Sequence, residues 1–220
     1  MSISRPALRW HGGKWRLAPW IIANFPVHRV YVESYGGGGS VLLRKARCYA
    51  EVYNDLDGDV VNLFRILRDD PDPLIRALEL TPFARDEHEV STDLTDDPLE
   101  RARRLCVRSF MGFGSDGHNI KKKTGFRSNS NRSGTTPAHD WRNYPQSLSK
   151  IVERVCGVVI ENRDACACME QHDGPQTLHY VDPPYVPETR SGLMHSAYPF
   201  SSYYFSLSFS FSFTFSFISV

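Results

Sequence analysis

An α/β fold on a parallel sheet is predicted by two stretches in which a β-branched strand pattern passes through a turn straight into a helical period. Two further strand-like segments, placed after a long polar interruption, extend the same pattern. The first unit, RVYVESYGGGGSVLLRKA from Arg29, reads as strand, glycine turn and short helix. The second, YAEVYNDLDGDVVNLFRILRD, runs as a strand to about Tyr53 and ends in Asn54 and Asp55. It continues as a helix with Val60, Leu63, Phe64 and Leu67 on one face. Two βα units in series demand parallel strands.

The DDPDP run closes that helix after Asp70, and LTDDPLERARRLCVRSFMGFG reads as another capped helix ending in a glycine-rich turn. Residues 115–145 carry no sustained apolar period and form a polar, basic insertion. Strand patterns resume at CGVVIENRD (156–164) and QTLHYVDPPY (176–185), with a short helical piece around ACACMEQH between them. The expected organisation is therefore a first half-domain over 1–70, a helical and basic insert over 71–145 and a second half-domain over 146–199. The last segment, 200–220, alternates Ser with Phe, a pattern no half-buried strand repeats so strictly. Both residues can be encoded by pyrimidines alone, so a translated pyrimidine-rich repeat, from a frameshift or gene-model artefact, is the expectation; a genuine sticky strand or anchor is the alternative. Either would aggregate if exposed.

The 220 residues, 41% hydrophobic and 23% charged, suffice for one core of ordinary size, and the formal net charge of +1 selects no partner. Arg5, Arg9 and Lys14 interrupt any apolar run before Trp20, and no segment reaches membrane-spanning length, so a cytoplasmic chain without a membrane partner is expected. The five cysteines, an odd number, suit reduced thiols. Cys166, Cys168 and His172 lack a second ligand pair at zinc-site spacing, and no metal is expected.

Gly36 to Gly39 stand between a strand and a helix N-terminus, where a ligand can approach the backbone and meet free N–H donors. The dinucleotide fingerprint fails, because its third glycine position holds Val41 or Leu42, and no Gly-Lys-Ser or Gly-Lys-Thr follows; hydride transfer is disfavoured. Asp55 stands where a second-strand acid accepts from ribose hydroxyls, although it or Asp57 could instead cap the following helix. An adenosine cofactor without a diphosphate, such as S-adenosylmethionine, remains allowed. Asp182, Pro183, Pro184 and Tyr185 end the last strand with a stiff loop. A carboxylate and the next carbonyl, fixed by two prolines, can both accept from one amino group conjugated to an aromatic base and draw it towards tetrahedral geometry. Tyr185 offers a ring for a base flipped out of the duplex. A plain strand-ending turn is the alternative reading of these four residues.

Together these residues resemble the α-group adenine-specific DNA methyltransferases, the deoxyadenosine methylase (Dam-like) family. LRWHGGKWRLAPWI is similar to that family's Trp-x-Gly-Gly-Lys element, VESYGGGGS to its Phe-x-Gly-x-Gly motif, YNDLDGDVVNLF to the acidic segment that follows, and Asp182 to Tyr185 match the catalytic motif in full. The resemblance, over residues 5–196, implies a Rossmann-like S-adenosylmethionine-dependent methyltransferase sheet with an inserted target-recognition segment. It implies Trp10, Lys14, Tyr35, Gly37, Gly39, Asp55, Asp164 and Asp182 at the cofactor and Asp182, Pro183, Pro184 and Tyr185 at the reacting base. The insert's RSFMGFGSDGHNIKKKTGFR resembles the segment by which the family contacts DNA. Independently, Lys121, Lys122, Lys123, Arg127, Arg132 and Arg142 outnumber Asp116 and Asp140 there, which favours the phosphates of double-stranded DNA, with His118, Asn119 and Asn129 as possible base readers.

The implied activity is methyl transfer to N6 of adenine by a monomer. Family members continue past the catalytic loop, whereas the match here stops near His195, so an incomplete C-terminal part is expected. A non-catalytic DNA- or cofactor-binding remnant is one alternative. A cytosine 4-amino methyltransferase is another, disfavoured because such enzymes more often open the loop with Ser or Thr.

Overall fold

Four strands, β1 (Val30–Glu33), β2 (Ala50–Asn54), β3 (Val159–Glu161) and β4 (Thr177–Tyr180), pair in the order β3-β2-β1-β4, and every pairing is parallel. The structure, a computed structural model, describes residues 3–114, 124–128 and 134–184. The Ser/Phe segment over 200–220 lies outside these residues. The helices are α1 (Ala18–Ala23), α2 (Ser40–Arg44), α3 (Gly58–Asp69), α4 (Pro71–Leu80), α5 (Arg85–Val90), α6 (Pro98–Met111), α7 (Pro137–Arg142), α8 (Tyr144–Val155) and α9 (Ala165–His172). β1 and β2 precede the insertion and β3 and β4 follow it, so the sheet is assembled from two separated stretches of chain.

The expected elements form, with shorter strands: of 156–164 only Val159–Glu161 is strand, since β3 runs beside β2 for three residues. Helix starts are fixed by side chains the sequence supplies. Asp57 accepts from the Asp59 N–H at the start of α3, Asp97 from Leu99 at α6, Thr136 from His139 at α7, and Asp164 from Cys166 and Ala167 at α9. The DDPDP run does close α3, and Pro71 then opens α4 at once, because a proline at the first helical position gives up no hydrogen bond.

Alternation along the strands sends Tyr31, Glu33, Glu51, Tyr53, Ile160 and Leu178 to one face, which meets α2, α3, α6 and α8 in the main core. On the other face Val32 and Val52 pack against Cys168 of α9. Leu74 and Leu78 of α4 and Leu105 of α6 belong to the same core as Val60 and Leu63 of α3 and Leu148 of α8.

The stretch over 115–145, expected to carry no sustained apolar period, nevertheless supplies two core residues at its end. Trp141 in α7 and Tyr144 at the start of α8 are core residues, 4% and 0% exposed. Their rings stack at 5.7 Å, and Tyr144 lies 4.1 Å from Phe110 of α6. The Trp141 indole N–H donates to the Thr81 carbonyl at 2.8 Å and the Tyr144 hydroxyl to the Ala7 carbonyl at 2.8 Å. Two aromatics three residues apart are too few to register as a period, yet each buries a large apolar area and satisfies its polar atom.

A buried ion cluster ties α8 to the sheet. Glu51 of β2 accepts from Lys45 Nζ at 2.9 Å and from both terminal nitrogens of Arg154 at 2.6 and 2.9 Å. Burial pushes the Glu51 carboxyl up, but its bonds to Arg154 and Lys45 outweigh this and hold it below the usual glutamate value. Glu51→Ala would leave two buried cations without their anion and is expected to cost about 3–5 kcal/mol in urea unfolding.

Candidate active site

All four strands point their carboxyl ends to the same side, and β1 is flanked there by β2 and β4, whose connections leave in opposite directions. Open α/β sheets place their ligand crevice at such a switch point. The glycine turn after β1 lies in it. Gly37 has φ 48°, in the left-handed region, and a Cβ there would stand 2.4 Å from the Trp10 indole nitrogen. Trp10 thus floors the turn, and only a residue without a side chain fits above it. Gly39, φ 63°, is the N-cap of α2 and brings no side-chain cap of its own.

The Gly37 backbone is held on both sides of its Cα from the end of β2. Asp55 Oδ2 accepts from its N–H at 2.7 Å, while the Tyr53 hydroxyl donates to its carbonyl at 2.6 Å. The other Asp55 oxygen accepts from the Asp57 N–H at 2.8 Å. Of the two candidate caps for α3, Asp57 is the one that serves, so Asp55 remains at the crevice as a buried carboxylate directed at the turn.

Two residues near opposite ends of the described chain meet here. Lys14 Nζ lies 2.8 Å from Asp182 Oδ2 and also donates to the Gly12 carbonyl at 2.9 Å. Asp182 follows the end of β4 by two residues, with Pro183 exposed and Pro184 half-buried after it. Asp164 caps α9 after β3. Tyr35 is close to it: burial first, then the Cys166 and Asp164 charges, push its phenol above the usual tyrosine value. Of the residues expected at the cofactor, Lys14 thus meets Asp182, Gly37 meets Trp10 and Asp55, Gly39 caps α2, and Tyr35 lies near Asp164. Tyr185 lies outside the described residues.

Of the basic residues expected at DNA, Lys121, Lys122, Lys123 and Arg132 also lie outside the described residues, as do His118, Asn119 and Asn129. Arg127 is described. Its N–H donates to the Met111 carbonyl at 2.8 Å and its guanidinium to the Phe110 carbonyl at 3.1 Å, beside an antiparallel bridge between Gly112 and Phe126. Phe126 is anchored against Phe83 at 5.0 Å, with Arg85 over its ring. Arg142 is exposed on α7.

Sequence reasoning passed over four residues. Asn54 staples three strand ends, donating to the Ser34 and Arg163 carbonyls at 2.9 and 3.1 Å and accepting from the Arg163 N–H. Tyr53 clamps the glycine turn, and Leu56, next to Asp55, leaves an apolar side chain 38% exposed. Glu33 is buried at the end of β1. A carboxylate closing an otherwise apolar strand, three residues before a glycine run, was the one signal for it.

A parallel α/β sheet with a glycine turn after its first strand and an acid-proline-proline loop after a neighbouring one gives the chain the architecture of a Rossmann-like methyltransferase fold. Residues 10–204 match the model of the D12 class N6 adenine-specific DNA methyltransferases, and the chain belongs to that family. It is 27% identical over 203 residues to a type II methyltransferase, M1.LlaDCHI, of Lactococcus lactis subsp. cremoris, covering 83% of this chain and 66% of the relative. It is 25% identical over 228 residues to the type II methyltransferase M.MjaIII of Methanocaldococcus jannaschii, covering 90% and 75%. To the DNA adenine methylase of Haemophilus influenzae it is 25% identical over 193 residues, covering 83% and 64%. The chain thus spans about two thirds of the length of the first and last of these.

Gly37→Ala adds a Cβ against Trp10 and is expected to lose about 1–3 kcal/mol in urea unfolding. Gly12→Ala, at φ 71° with nothing within 4 Å, should lose only the backbone part of that, so Gly37 must prove the more sensitive of the two.

Proposed function

We propose that this chain transfers a methyl group from S-adenosylmethionine to the 6-amino group of adenine in double-stranded DNA, as a cytoplasmic monomer. Family membership supports a methyltransferase reading. The observation that carries the proposal is the meeting of Asp182, from the Asp-Pro-Pro-Tyr loop, with Lys14, from the Trp-x-Gly-Gly-Lys element, beside the glycine turn.

The crevice residues suit the cofactor. The side-chain-free Gly37 turn at the start of α2 admits a close approach to backbone, Asp55 brings a carboxylate to the end of β2, and Leu56 presents an apolar face beside it. Tyr35 and Asp164 would line the adenine end, and Trp10, Lys14 and Gly39 the turn side. S-adenosylmethionine supplies an electrophilic methyl group when bound.

The chain's own task is to make a poor nucleophile adequate. The Asp182 carboxylate and the Pro183 carbonyl accept hydrogen bonds from the adenine amino group, which withdraws its lone pair from the ring. Lys14, bonded to one Asp182 oxygen and to the Gly12 carbonyl, orients that carboxylate. Tyr185 stacks on the extruded base, and Lys121, Lys122, Lys123, Arg127 and Arg132 contact phosphates, contributing binding energy towards extrusion.

The test is transfer of label from S-adenosylmethionine to unmethylated duplex DNA. Label is expected on N6 of adenine, and Asp182→Ala, checked for folding, should lower the rate at least about 100-fold. A folded wild-type chain that transfers no label overturns the proposal, and label on cytosine overturns its choice of base.

A further inference from the structure

Before the Trp-x-Gly-Gly-Lys element begins, the chain runs over residues 5–9 outside any helix or strand, so its backbone groups need partners from elsewhere. The helices of the insertion supply them. The Arg9 N–H donates to Ser109 Oγ of α6 at 2.7 Å, and the same hydroxyl donates to the Arg9 carbonyl at 3.1 Å. The Tyr144 hydroxyl of α8 donates to the Ala7 carbonyl at 2.8 Å. Arg5 reaches α7, where it pairs with Asp140 at 3.3 Å and donates to its carbonyl at 3.2 Å, its guanidinium lying over the Phe110 ring at 5.0 Å.

Ser109 is buried in the last turn of α6. A serine inside a helix ordinarily bonds a carbonyl one turn back. This one commits its donor and its acceptor to a single residue of a segment 100 positions away. Its hydroxyl therefore holds the N-terminal segment by both polar groups of one residue.

The two chains joined there lead to the two halves of the proposed reaction. The residue after Arg9 is Trp10, which floors Gly37. A Cβ on Gly38 would stand 3.1 Å from Trp10 Cβ and 3.7 Å from the Leu8 carbonyl, so the segment lies directly against the glycine turn. The Gly13 N–H then donates to the Trp10 carbonyl at 3.1 Å, and Lys14 reaches Asp182. In the other direction, the insertion opens three residues after Ser109, where Gly112 bridges Phe126 and the Phe113 N–H donates to the Gly125 carbonyl at 2.8 Å. Arg127 bonds back to the Met111 and Phe110 carbonyls of the turn that carries Ser109.

We propose that Ser109 is a positioning residue that couples the DNA-contacting insert to the cofactor turn. DNA held by the insert fixes the last turn of α6, Ser109 hands that constraint to Arg9, and Trp10 and Lys14 are set in place for the cofactor. This rests on the cofactor and DNA readings given above. A ligand that favours one arrangement of the shared segment favours the other ligand by the same factor, so the coupling must read alike from both sides. Without the Ser109 hydroxyl, α6 keeps its apolar packing but its hold on Arg9 is gone, and the two sites bind independently.

The experiment is titration calorimetry of wild type and Ser109→Ala with S-adenosylhomocysteine, alone and with saturating long unmethylated duplex DNA of mixed sequence. Folding is checked by urea unfolding. DNA is expected to raise the wild-type affinity at least about fivefold, and S-adenosylhomocysteine to raise the affinity for DNA by the same factor. Ser109→Ala should bind each ligand alone nearly as wild type does and lose both gains. A merely structural role would lower affinity with and without DNA alike and preserve the gain, and that result overturns the role of Ser109. So does a wild type that binds both ligands without coupling. If Ser109→Ala does not fold, Arg5→Gln, which removes the ion pair to α7, is read in its place: a reduced gain supports the coupling and an unchanged one overturns it. No binding of S-adenosylhomocysteine by wild type overturns the cofactor reading, and no binding of DNA the DNA reading, each taking this inference with it.

Discussion

The Gly37 backbone, held at its N–H by Asp55 and at its carbonyl by Tyr53, is the constraint on which the glycine turn depends. Both clamping residues stand at the end of β2, so the position of the turn is set by a neighbouring strand rather than by the turn itself. That position fixes the start of α2 and the place where Trp10 can lie. Remove the clamp and a run of four glycines has every conformational freedom the residue allows. Held by it, the same run is a rigid edge with its backbone bare.

A parallel sheet makes this arrangement possible by directing every strand end to one side. β1 contributes the turn, β2 the clamp, β3 leads to Asp164 and β4 to Asp182. The helices from the insertion do not form a separate layer. α4 and α6 share a core with α3 and α8, and the Lys45, Glu51 and Arg154 cluster fastens α8, which returns from the insertion, to the strand that preceded it. The second half of the sheet is thereby brought into register with the first.

Much of this was legible in the residues. The two βα units, the glycine turn and the short helix before β4 follow from local pattern, because a strand period passing into a helical one through a turn depends on neighbours in sequence. What depends on distant neighbours was not legible. Nothing near Asn54 indicates that its amide bridges Ser34 and Arg163, and nothing near Trp141 that its indole finds the Thr81 carbonyl. Asp55 could be read as a cofactor acid or as a cap, and only the fold gives the cap to Asp57 and turns Asp55 towards Gly37. Lys14 and Asp182 were each legible as site residues through a family motif, yet their direct contact belongs to the three-dimensional arrangement alone.

That contact also bears on how the chain matures. Lys14 leaves the ribosome early and Asp182 late, and β4 takes its place beside β1 only after the whole insertion has been made. Pairings so remote in sequence are slow to form, because the intervening chain must be ordered before they gain anything. The first half of the sheet and the glycine turn can assemble while synthesis continues, but Asp182 arrives after them. A nascent or partly folded chain therefore holds the glycine turn before Asp182 has reached Lys14, and their meeting coincides with the docking of β4 beside β1.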